Sequence, residues 1–208
     1  MSAILTDDQL AGFAARAYTS APSFQVEDVR ACVTLCGGYT SVIAFPGTYP
    51  GNLENWVRDL DAVPVWFSPL ASWCHQGFLE GAQKLWPSIH AKLPPGKVVL
   101  TGHSLGGALA LLVGAMMVQQ GTPPDAIVTF GAPKVGRGYI RDVILKRVRA
   151  LRQYRYGNDP VPDLPSVFFE TMAPELIEIG RSEPIDIDAH AVDGYWAATP
   201  ATPVFGDA

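Results

Sequence analysis

The pentapeptide Gly102-His103-Ser104-Leu105-Gly106 is the part of this sequence with the clearest chemical meaning. It fits the pattern G-x-S-x-G and lies between an apolar run, residues 97–101, and a long stretch of small and apolar residues, 105–119. These flanks predict a strand followed by a helix, joined by a sharp turn that exposes the serine hydroxyl above the sheet. The N-terminus of the helix favours negative charge that develops there. We therefore expect Ser104 to act as a nucleophile.

A histidine must lie within reach of this serine, because a hydroxyl is a weak nucleophile until a base removes its proton. The chain has four histidines. His103 directly precedes the serine and is expected to point away from it as a packed or hydrogen-bonded residue. His75 and His90 lie on or beside the predicted helix before the nucleophile strand and are expected at the surface. His190 alone lies downstream, where the chain order serine, acid, histidine places the base, and we predict it in that role.

An acidic residue is needed to orient the histidine and to stabilise its charged form. Asp159 follows a predicted strand, residues 151–156, in a loop at the ligand-facing edge of such a sheet. Asp186 and Asp188 are too near the histidine in the chain to be its usual partner, and Asp163 lies beyond two turn-forming prolines. We predict Asp159 as the acid.

Donors for a developing oxyanion are expected from two places. One is the backbone N–H of Leu105, the residue after the nucleophile. The other is the loop Phe45-Pro46-Gly47-Thr48, which ends an early predicted strand. Gly47 permits close approach of the backbone, and Thr48 offers both an N–H and a hydroxyl. Taken alone, this loop is equally compatible with an ordinary turn.

Apolar runs alternate with amphipathic stretches along the chain, which predicts an α/β fold with a mostly parallel central sheet flanked by helices. Predicted strands cover residues 29–35, 40–45, 63–67, 97–101, 125–130 and 151–156, the first two as a hairpin. Predicted helices cover residues 10–17, 78–89, 105–119 and 139–149. Pro87 is expected to kink or restart the second of these helices. Residues 160–184 are expected to be irregular, and residues 199–208 are expected to be an irregular, frayed end.

The size and charge of the chain limit its class. A chain of 208 residues with 48% hydrophobic content predicts a single domain over residues 1–208. A net charge of −5 argues against a nucleic-acid partner. A cluster of six basic residues is compatible with transient contact to a lipid surface, although such a run is more often a solvated helix face. The cluster comprises Arg141, Lys146, Arg147, Arg149, Arg152 and Arg155.

The start of the sequence predicts where the protein is found. Asp7 and Asp8 lie where a secretory signal has basic residues followed by an apolar run. The stretch 105–118 is too short and too rich in Gly and Ala to span a membrane. We therefore expect a cytoplasmic protein without an obligate protein partner.

Seven segments between about residues 42 and 196 together resemble the class 3 lipases, typified by small filamentous-fungal triacylglycerol lipases. They are Ala44-Phe45-Pro46-Gly47-Thr48, Asn55-Trp56, His75-Gln76-Gly77-Phe78, residues 99–108, Thr129-Phe130-Gly131-Ala132-Pro133, Asn158-Asp159-Pro160-Val161-Pro162 and Asp188-Ala189-His190. The resemblance implies an α/β-hydrolase fold and Ser104, Asp159 and His190 as a catalytic triad. It also implies Thr48 and Leu105 as the oxyanion hole, and no metal or organic cofactor.

The expected function is hydrolysis of lipid esters through an acyl-enzyme. An esterase acting on soluble short-chain or feruloyl-type aromatic esters is the alternative, and a catalytically silent binding protein is a further one. The family usually has an arginine where this chain has Pro46. Its members also cover the site with a short lid helix. Here Pro50 and Gly51 in the corresponding segment, residues 49–56, predict only marginal closure.

Overall fold

The computed structural model describes residues 4–37, 39–48, 63–93, 95–165, 168–181 and 187–205, and of residues 144, 145, 187 and 188 the backbone alone. The predicted lid segment and Asp186 lie outside the described residues. The strands are β1 (Phe24–Val26), β2 (Val29–Cys36), β3 (Thr40–Phe45), β4 (Pro64–Phe67), β5 (Ser72–His75), β6 (Lys97–His103), β7 (Ala126–Phe130), β8 (Gly136–Gly138), β9 (Ala150–Tyr156) and β10 (Leu176–Ile179). The α-helices are α1 (Asp7–Arg16), α2 (Gln76–Ala91), α3 (Leu105–Gln119), α4 (Tyr139–Arg147) and α5 (Val192–Ala198).

Seven of these strands form the main sheet, in the order β1-β2-β3-β6-β7-β9-β10. The first three pair antiparallel, and β2 and β3 form the predicted hairpin. From β3 to β10 every neighbouring pair is parallel, so the carboxyl ends of five strands meet at one edge. The strands β4, β5 and β8 form a separate, small antiparallel sheet.

Helices cover both faces of the main sheet, which is why its central strands are continuously apolar. Alternate residues of β6 show the two sides, because Leu100 packs in the core under α2 and α3 while Val99 packs under α1 and α5. Helix α3 is apolar all round and is buried from Gly106 to Val118. The nucleophile strand and the helix after it are therefore the most deeply embedded part of the fold.

Helix α2 continues through Pro87, so the prediction that the helix restarts there is wrong, while a kink stays a prediction. Leu85 and Ile89, on either side of the proline, are fully buried and anchor both halves of the helix to the core. Pro87 itself is exposed, so the backbone carbonyl that loses its helical partner lies on the solvent side.

Two segments that were expected to be irregular contain long-range backbone pairing among their described residues. The strand β10 lies in one of them and pairs with β9. In the other, the carbonyl of Thr202 accepts a 2.9 Å hydrogen bond from the N–H of Asp7, and the N–H of Val204 donates to the carbonyl of Leu5. Val204 is 1% exposed. The prediction of a frayed end is therefore wrong for the residues up to 205, because long-range pairing with the start of the chain holds them.

A buried ion pair joins the start of α1 to β9. The Arg152 guanidinium donates two 2.6 Å hydrogen bonds to the Asp7 carboxylate, and the Tyr154 hydroxyl donates a third of 2.6 Å. The Asp7 side chain is fully buried. Burial raises the pKa of Tyr154, so its hydroxyl stays protonated and remains a donor. This network fixes α1 against the sheet.

We expect Asp7→Ala to lower the free energy of unfolding by about 3–5 kcal/mol, because it leaves Arg152 as an unpaired, largely buried charge. Urea denaturation measures this change. The matched control is Asp193→Ala, which removes an exposed carboxylate from the first turn of α5 and should cost less than about 1 kcal/mol. Equal losses in the two variants would contradict a stabilising role of the buried pair.

Candidate active site

Ser104 lies at the turn between β6 and α3, with φ of 56° and ψ of −129°. Its N–H donates a 3.0 Å hydrogen bond to the carbonyl of Phe130 at the end of β7. The next turn of backbone packs directly on the end of β3, since a methyl group at Gly106 would lie 2.0 Å from the carbonyl oxygen of Phe45. The serine is thus held between the carboxyl ends of β3 and β7.

His190 and Asp159 form a buried pair at the same edge of the sheet. His190 Nδ1–H donates a 2.6 Å hydrogen bond to Asp159 Oδ2, and the two residues are 0% and 1% exposed. The Tyr195 hydroxyl donates 2.5 Å to the same oxygen, and the Val161 N–H donates 2.9 Å to the other. Burial, and then the Asp159 carboxylate, raise the pKa of Tyr195 well above its usual range. Three donors therefore hold the carboxylate in one orientation.

The outward nitrogen of this histidine and the serine hydroxyl are both uncommitted. Among the described residues, neither His190 Nε2 nor Ser104 Oγ has a hydrogen-bond partner, although both atoms are buried. The ring of His103, which directly precedes the serine, lies 4.6 Å from the His190 ring. Buried polar atoms without partners are rare in native structures and call for an explanation, of which a catalytic role is one. Here they are a proton acceptor and a hydroxyl.

Gly131 packs directly against the His190–Asp159 pair. Its φ is 58°, and its N–H donates 3.0 Å to the carbonyl of Tyr154. A methyl group at this position would lie 2.8 Å from His190 Cε1 and 3.0 Å from Asp159 Oδ2. The imidazole therefore rests on bare backbone, and only glycine leaves room for it.

His103 takes no part in the pair but holds its loop. Its Nε2–H donates a 2.8 Å hydrogen bond to the backbone carbonyl of His190. Burial, and then the neighbouring His190, lower the pKa of His103 well below its usual range, so its ring is neutral. Its Nδ1 therefore accepts the 2.8 Å hydrogen bond from the Tyr18 hydroxyl. The expectation of a packed, hydrogen-bonded histidine is confirmed.

Tyr18 extends this connection to the loop after β3. Its hydroxyl oxygen accepts a hydrogen bond from the N–H of Gly47, and burial raises its pKa. A methyl group at Gly47 would lie 2.4 Å from the Tyr18 hydroxyl and 2.9 Å from Ser104 Cβ. One hydrogen-bonded chain thus runs from Gly47 through Tyr18 and His103 to the backbone of His190. Sequence reasoning missed Tyr18, because it belongs to no local motif.

Thr48 and Leu105 line one cavity of about 590 Å³ beside the serine. The N–H of Leu105 belongs to the first turn of α3 and so has no acceptor within the helix. The other apolar side chains that line the cavity are Val29, Val63, Phe78 and Leu109, and the other polar or charged ones are Asp28, His75, Gln76, Glu80 and Lys84. The two residues predicted to form the oxyanion hole therefore border the same space.

The rejected histidines His75 and His90 and the rejected acid Asp163 lie outside the Asp159–His190 pair. His75 is 6% exposed, lines the cavity and stacks on Phe78 at 3.9 Å, so its expected surface position is wrong. His90 is exposed, as expected. Asp163 pairs with Arg155 at 2.5 Å. In the described part of the chain, no group of three or more His, Cys, Asp or Glu side chains could hold a metal ion, and no helix is long and apolar enough to cross a membrane.

Comparisons with known proteins identify relatives. A family model described as "Lipase (class 3)" matches residues 42–169. The secreted mono- and diacylglycerol lipase 1 of Fusarium solani is 33% identical over 127 residues, which cover 57% of this chain and 38% of that protein. The secreted mono- and diacylglycerol lipase A of Penicillium cyclopium is 28% identical over 167 residues, covering 76% and 48%.

Solved structures share the fold. The native propeptide complex of Rhizomucor miehei lipase superposes with a TM-score of 0.73 at 24% identity, covering 83% of this chain and 67% of that one. A triacylglycerol lipase described as having a serine protease triad as its catalytic centre gives 0.59 at 30% identity, covering 69% and 58%. The predicted α/β-hydrolase fold is confirmed.

The relatives correct one prediction and leave another open. The prediction of a cytoplasmic protein is wrong, because the Fusarium and Penicillium relatives are named as secreted lipases. Asp7 and Asp8, on which it rested, belong to the folded helix α1 and so say nothing about export. The chain spans less than half the length of these two relatives. A single domain over residues 1–208 therefore stays a prediction.

We expect Gly131→Ala to reduce ester turnover by about 10²-fold, because the added methyl displaces the His190 ring and such misplacements carry costs of that order. The matched control is Gly121→Ala, which has the same positive sign of φ, 80°, but no atom within 4 Å of the added methyl. Both variants should lose about 1–2 kcal/mol of stability through backbone strain. Similar kcat values for the two variants would contradict the packing argument.

Proposed function

Because the chain belongs to the class 3 lipase family, we propose that it hydrolyses carboxylic esters of lipids by nucleophilic catalysis from Ser104. One observation carries this proposal: the buried, hydrogen-bonded Asp159–His190 pair lies at the same edge of the sheet as Ser104, whose buried hydroxyl has no hydrogen-bond partner among the described residues. The relatives support the substrate class, since two of them are named as lipases of mono- and diacylglycerols.

In the acylation step, Ser104 Oγ attacks the ester carbonyl carbon while His190 Nε2 takes the hydroxyl proton. The resulting imidazolium is stabilised by Asp159, whose orientation the Tyr195 hydroxyl and the Val161 N–H maintain. The tetrahedral intermediate collapses when the bond to the alcohol oxygen breaks. That oxygen takes the proton from His190, and the acyl group remains on the serine.

In the deacylation step, a water molecule attacks the acyl carbon and passes a proton to His190 Nε2. The bond to Ser104 Oγ then breaks, and the serine recovers its proton from the histidine. The products are the free fatty acid and the original enzyme. No redox partner or metal is needed for this balance, and the absence of a cofactor stays a prediction.

The oxyanion of both intermediates is stabilised by the N–H of Leu105 and by Thr48. The N-terminal end of α3 adds a favourable dipole. The position of Thr48 depends on Gly47, whose N–H donates to Tyr18 and whose lack of a side chain lets the loop approach Ser104. The hydrogen-bonded chain Gly47–Tyr18–His103–His190 thus holds Thr48, the proposed oxyanion donor, and His190, the proposed base, in fixed positions relative to each other.

The cavity beside these donors suits an acyl chain. Phe78 and Leu109 are buried and, with Val29, give it an apolar surface, while Glu80 and Lys84 are exposed. An acyl chain enclosed along the apolar side gains roughly 0.8 kcal/mol for each methylene removed from water. We therefore infer a preference for esters of longer aliphatic acids over acetates.

We expect Ser104→Ala to lower turnover of p-nitrophenyl esters by about 10⁴-fold or more, because triad members act as a unit. The matched control is Ser41→Ala, which alters another fully buried serine whose hydroxyl has no hydrogen-bond partner in the described part of the chain. It should keep turnover within about threefold, as it touches no reacting group. Residual activity of Ser104→Ala near the wild-type rate would contradict the assignment.

Thr48→Val should cost about 10² to 10³ in turnover, roughly 3–4 kcal/mol, if the hydroxyl binds the oxyanion. Thr48→Ser is the matched control, because it keeps the hydroxyl and removes only a methyl group. We expect kcat to fall and KM to change little in the valine variant, since the interaction strengthens only in the transition state. If Thr48→Val is as active as Thr48→Ser, the hydroxyl does not bind the oxyanion, and only the backbone of this loop remains as a donor.

A further inference from the structure

Helix α2 lines the active-site cavity with two rows of residues. Residues four apart on a helix lie on the same face, one turn after another. One row consists of glycines, Gly77 and Gly81, and the other of exposed side chains, Gln76, Glu80 and Lys84. Gln76 Nε2 donates a 2.8 Å hydrogen bond to Glu80 Oε1 along the second row. The cavity therefore has a strip of bare helix backbone bordered by a polar rim.

Two apolar side chains face the middle of this strip. A methyl group on Gly81 would lie 3.0 Å from Leu109 Cδ2 and 3.3 Å from Val29 Cγ1. Leu109 and Val29 are buried, and both line the cavity. The width of the cavity at Gly81 is therefore set by the missing side chain, and a larger residue there would fill the space. We call Gly77, Gly81, Val29 and Leu109 the glycine groove.

The glycine groove leads away from the proposed oxyanion hole. Helices α2 and α3 pack against each other, and both run antiparallel to β6, because a short connection joins each of them to that strand. The two helices thus run in the same direction. Leu109 lies beside Gly81 and follows Leu105 by about one turn, so Gly77, one turn before Gly81, lies at the level of Leu105. An acyl chain that starts at the oxyanion hole passes Gly77 first and Gly81 later.

An ion pair borders the far end of the glycine groove. Lys84 Nζ lies 2.6 Å from Glu27 Oε2, and the two side chains are 40% and 66% exposed. Lys84 follows Gly81 by almost one turn of α2 and lines the cavity, as does Asp28, the neighbour of Glu27. Methylene groups that reach these hydrated charges stay in contact with water, so they add nothing to binding. The apolar length of the groove therefore ends near Lys84.

We propose that the glycine groove selects acyl chains of about eight carbons, and that Gly81 and the Lys84–Glu27 pair set this length. Lys84 follows Gly77 by seven residues, which is about 10 Å along a helix that rises about 1.5 Å per residue. An extended alkyl chain advances about 1.25 Å per carbon, since its C–C bonds of about 1.5 Å form a zigzag. The inference rests on the proposed function, because the selected chain is the acyl part of the ester.

The first test compares kcat/KM for dissolved p-nitrophenyl esters from acetate to dodecanoate. For the wild type we expect a rise of about two- to fourfold per methylene up to octanoate and no further rise beyond it. Gly81→Leu should lower the octanoate-to-butanoate ratio by about tenfold or more, because the leucine side chain occupies the groove beyond Gly77. Each ratio compares two esters on one variant, so a partly unfolded fraction does not change it.

Lys84→Met tests the far end of the groove. It replaces the charge with an unbranched apolar side chain and so extends the apolar wall. We expect the decanoate-to-octanoate ratio of kcat/KM to rise by about threefold. The matched control is Lys92→Met, which makes the same substitution at an exposed position after the last turn of α2, outside the described lining of the cavity. It should leave that ratio unchanged.

Binding of alkanoates, the acid products of such esters, tests the groove without turnover. Isothermal titration calorimetry of Ser104→Ala with alkanoates from butanoate to dodecanoate should show an affinity that rises up to octanoate and then levels off. Adding Gly81→Leu should abolish the rise between butanoate and octanoate, which weakens octanoate binding by about tenfold or more.

Several outcomes would overturn the proposal. A wild-type profile that keeps rising to dodecanoate, or a Gly81→Leu variant with wild-type ratios, excludes the glycine groove as the part that sets the length. Equal ratios in Lys84→Met and Lys92→Met exclude the ion pair as its end. Ester turnover without this length dependence in turnover and binding defeats the inference alone, whereas length-dependent alkanoate binding without turnover of any ester defeats the proposed function alone.

Discussion

Ser104 has a positive φ, a backbone conformation that costs a non-glycine residue about 1–3 kcal/mol and persists only where its surroundings enforce it. Those surroundings are the N–H bond to Phe130, the contact of Gly106 with the backbone of Phe45, and the fully buried helix α3. Because α3 and β6 are the most deeply packed elements, core burial holds the strained turn. The hydroxyl position is therefore set by the whole core and not by its neighbours alone.

The remaining groups meet this serine because β3, β6, β7 and β9 are parallel neighbours whose carboxyl ends coincide. Each loop at that edge approaches the next through bare backbone or a hydrogen bond. Gly47 contacts Ser104, Gly131 contacts the His190 ring, and Tyr18 with His103 connects the loops of both. The proposed oxyanion donor and the proposed base are thus positioned by one continuous set of contacts.

The sequence was sufficient to predict the fold class and to predict that Ser104, Asp159 and His190 lie at one edge of the sheet. Both predictions rest on the ends of strands, which are local features, and on the order of the three residues along the chain. Contacts between residues that lie far apart in the chain could not be predicted from the sequence. Tyr195 reaches the site from α5 and Tyr18 from the turn after α1, and neither belongs to a sequence motif. His75, which stacks on Phe78, was wrongly expected at the surface. The prediction of a frayed chain end failed for the same reason, since the hydrogen-bond partners of that end lie near residue 5.

The most direct test of the proposed catalytic centre is a crystal structure of the chain after reaction with an alkyl phosphonate ester, which mimics the tetrahedral intermediate. The account predicts a covalent bond from phosphorus to Ser104 Oγ. It also predicts a phosphoryl oxygen within about 3 Å of the Leu105 N–H and of Thr48, with His190 facing the remaining alkoxy group. Phosphorus bound to another residue, or a phosphoryl oxygen pointing away from both donors, would contradict it.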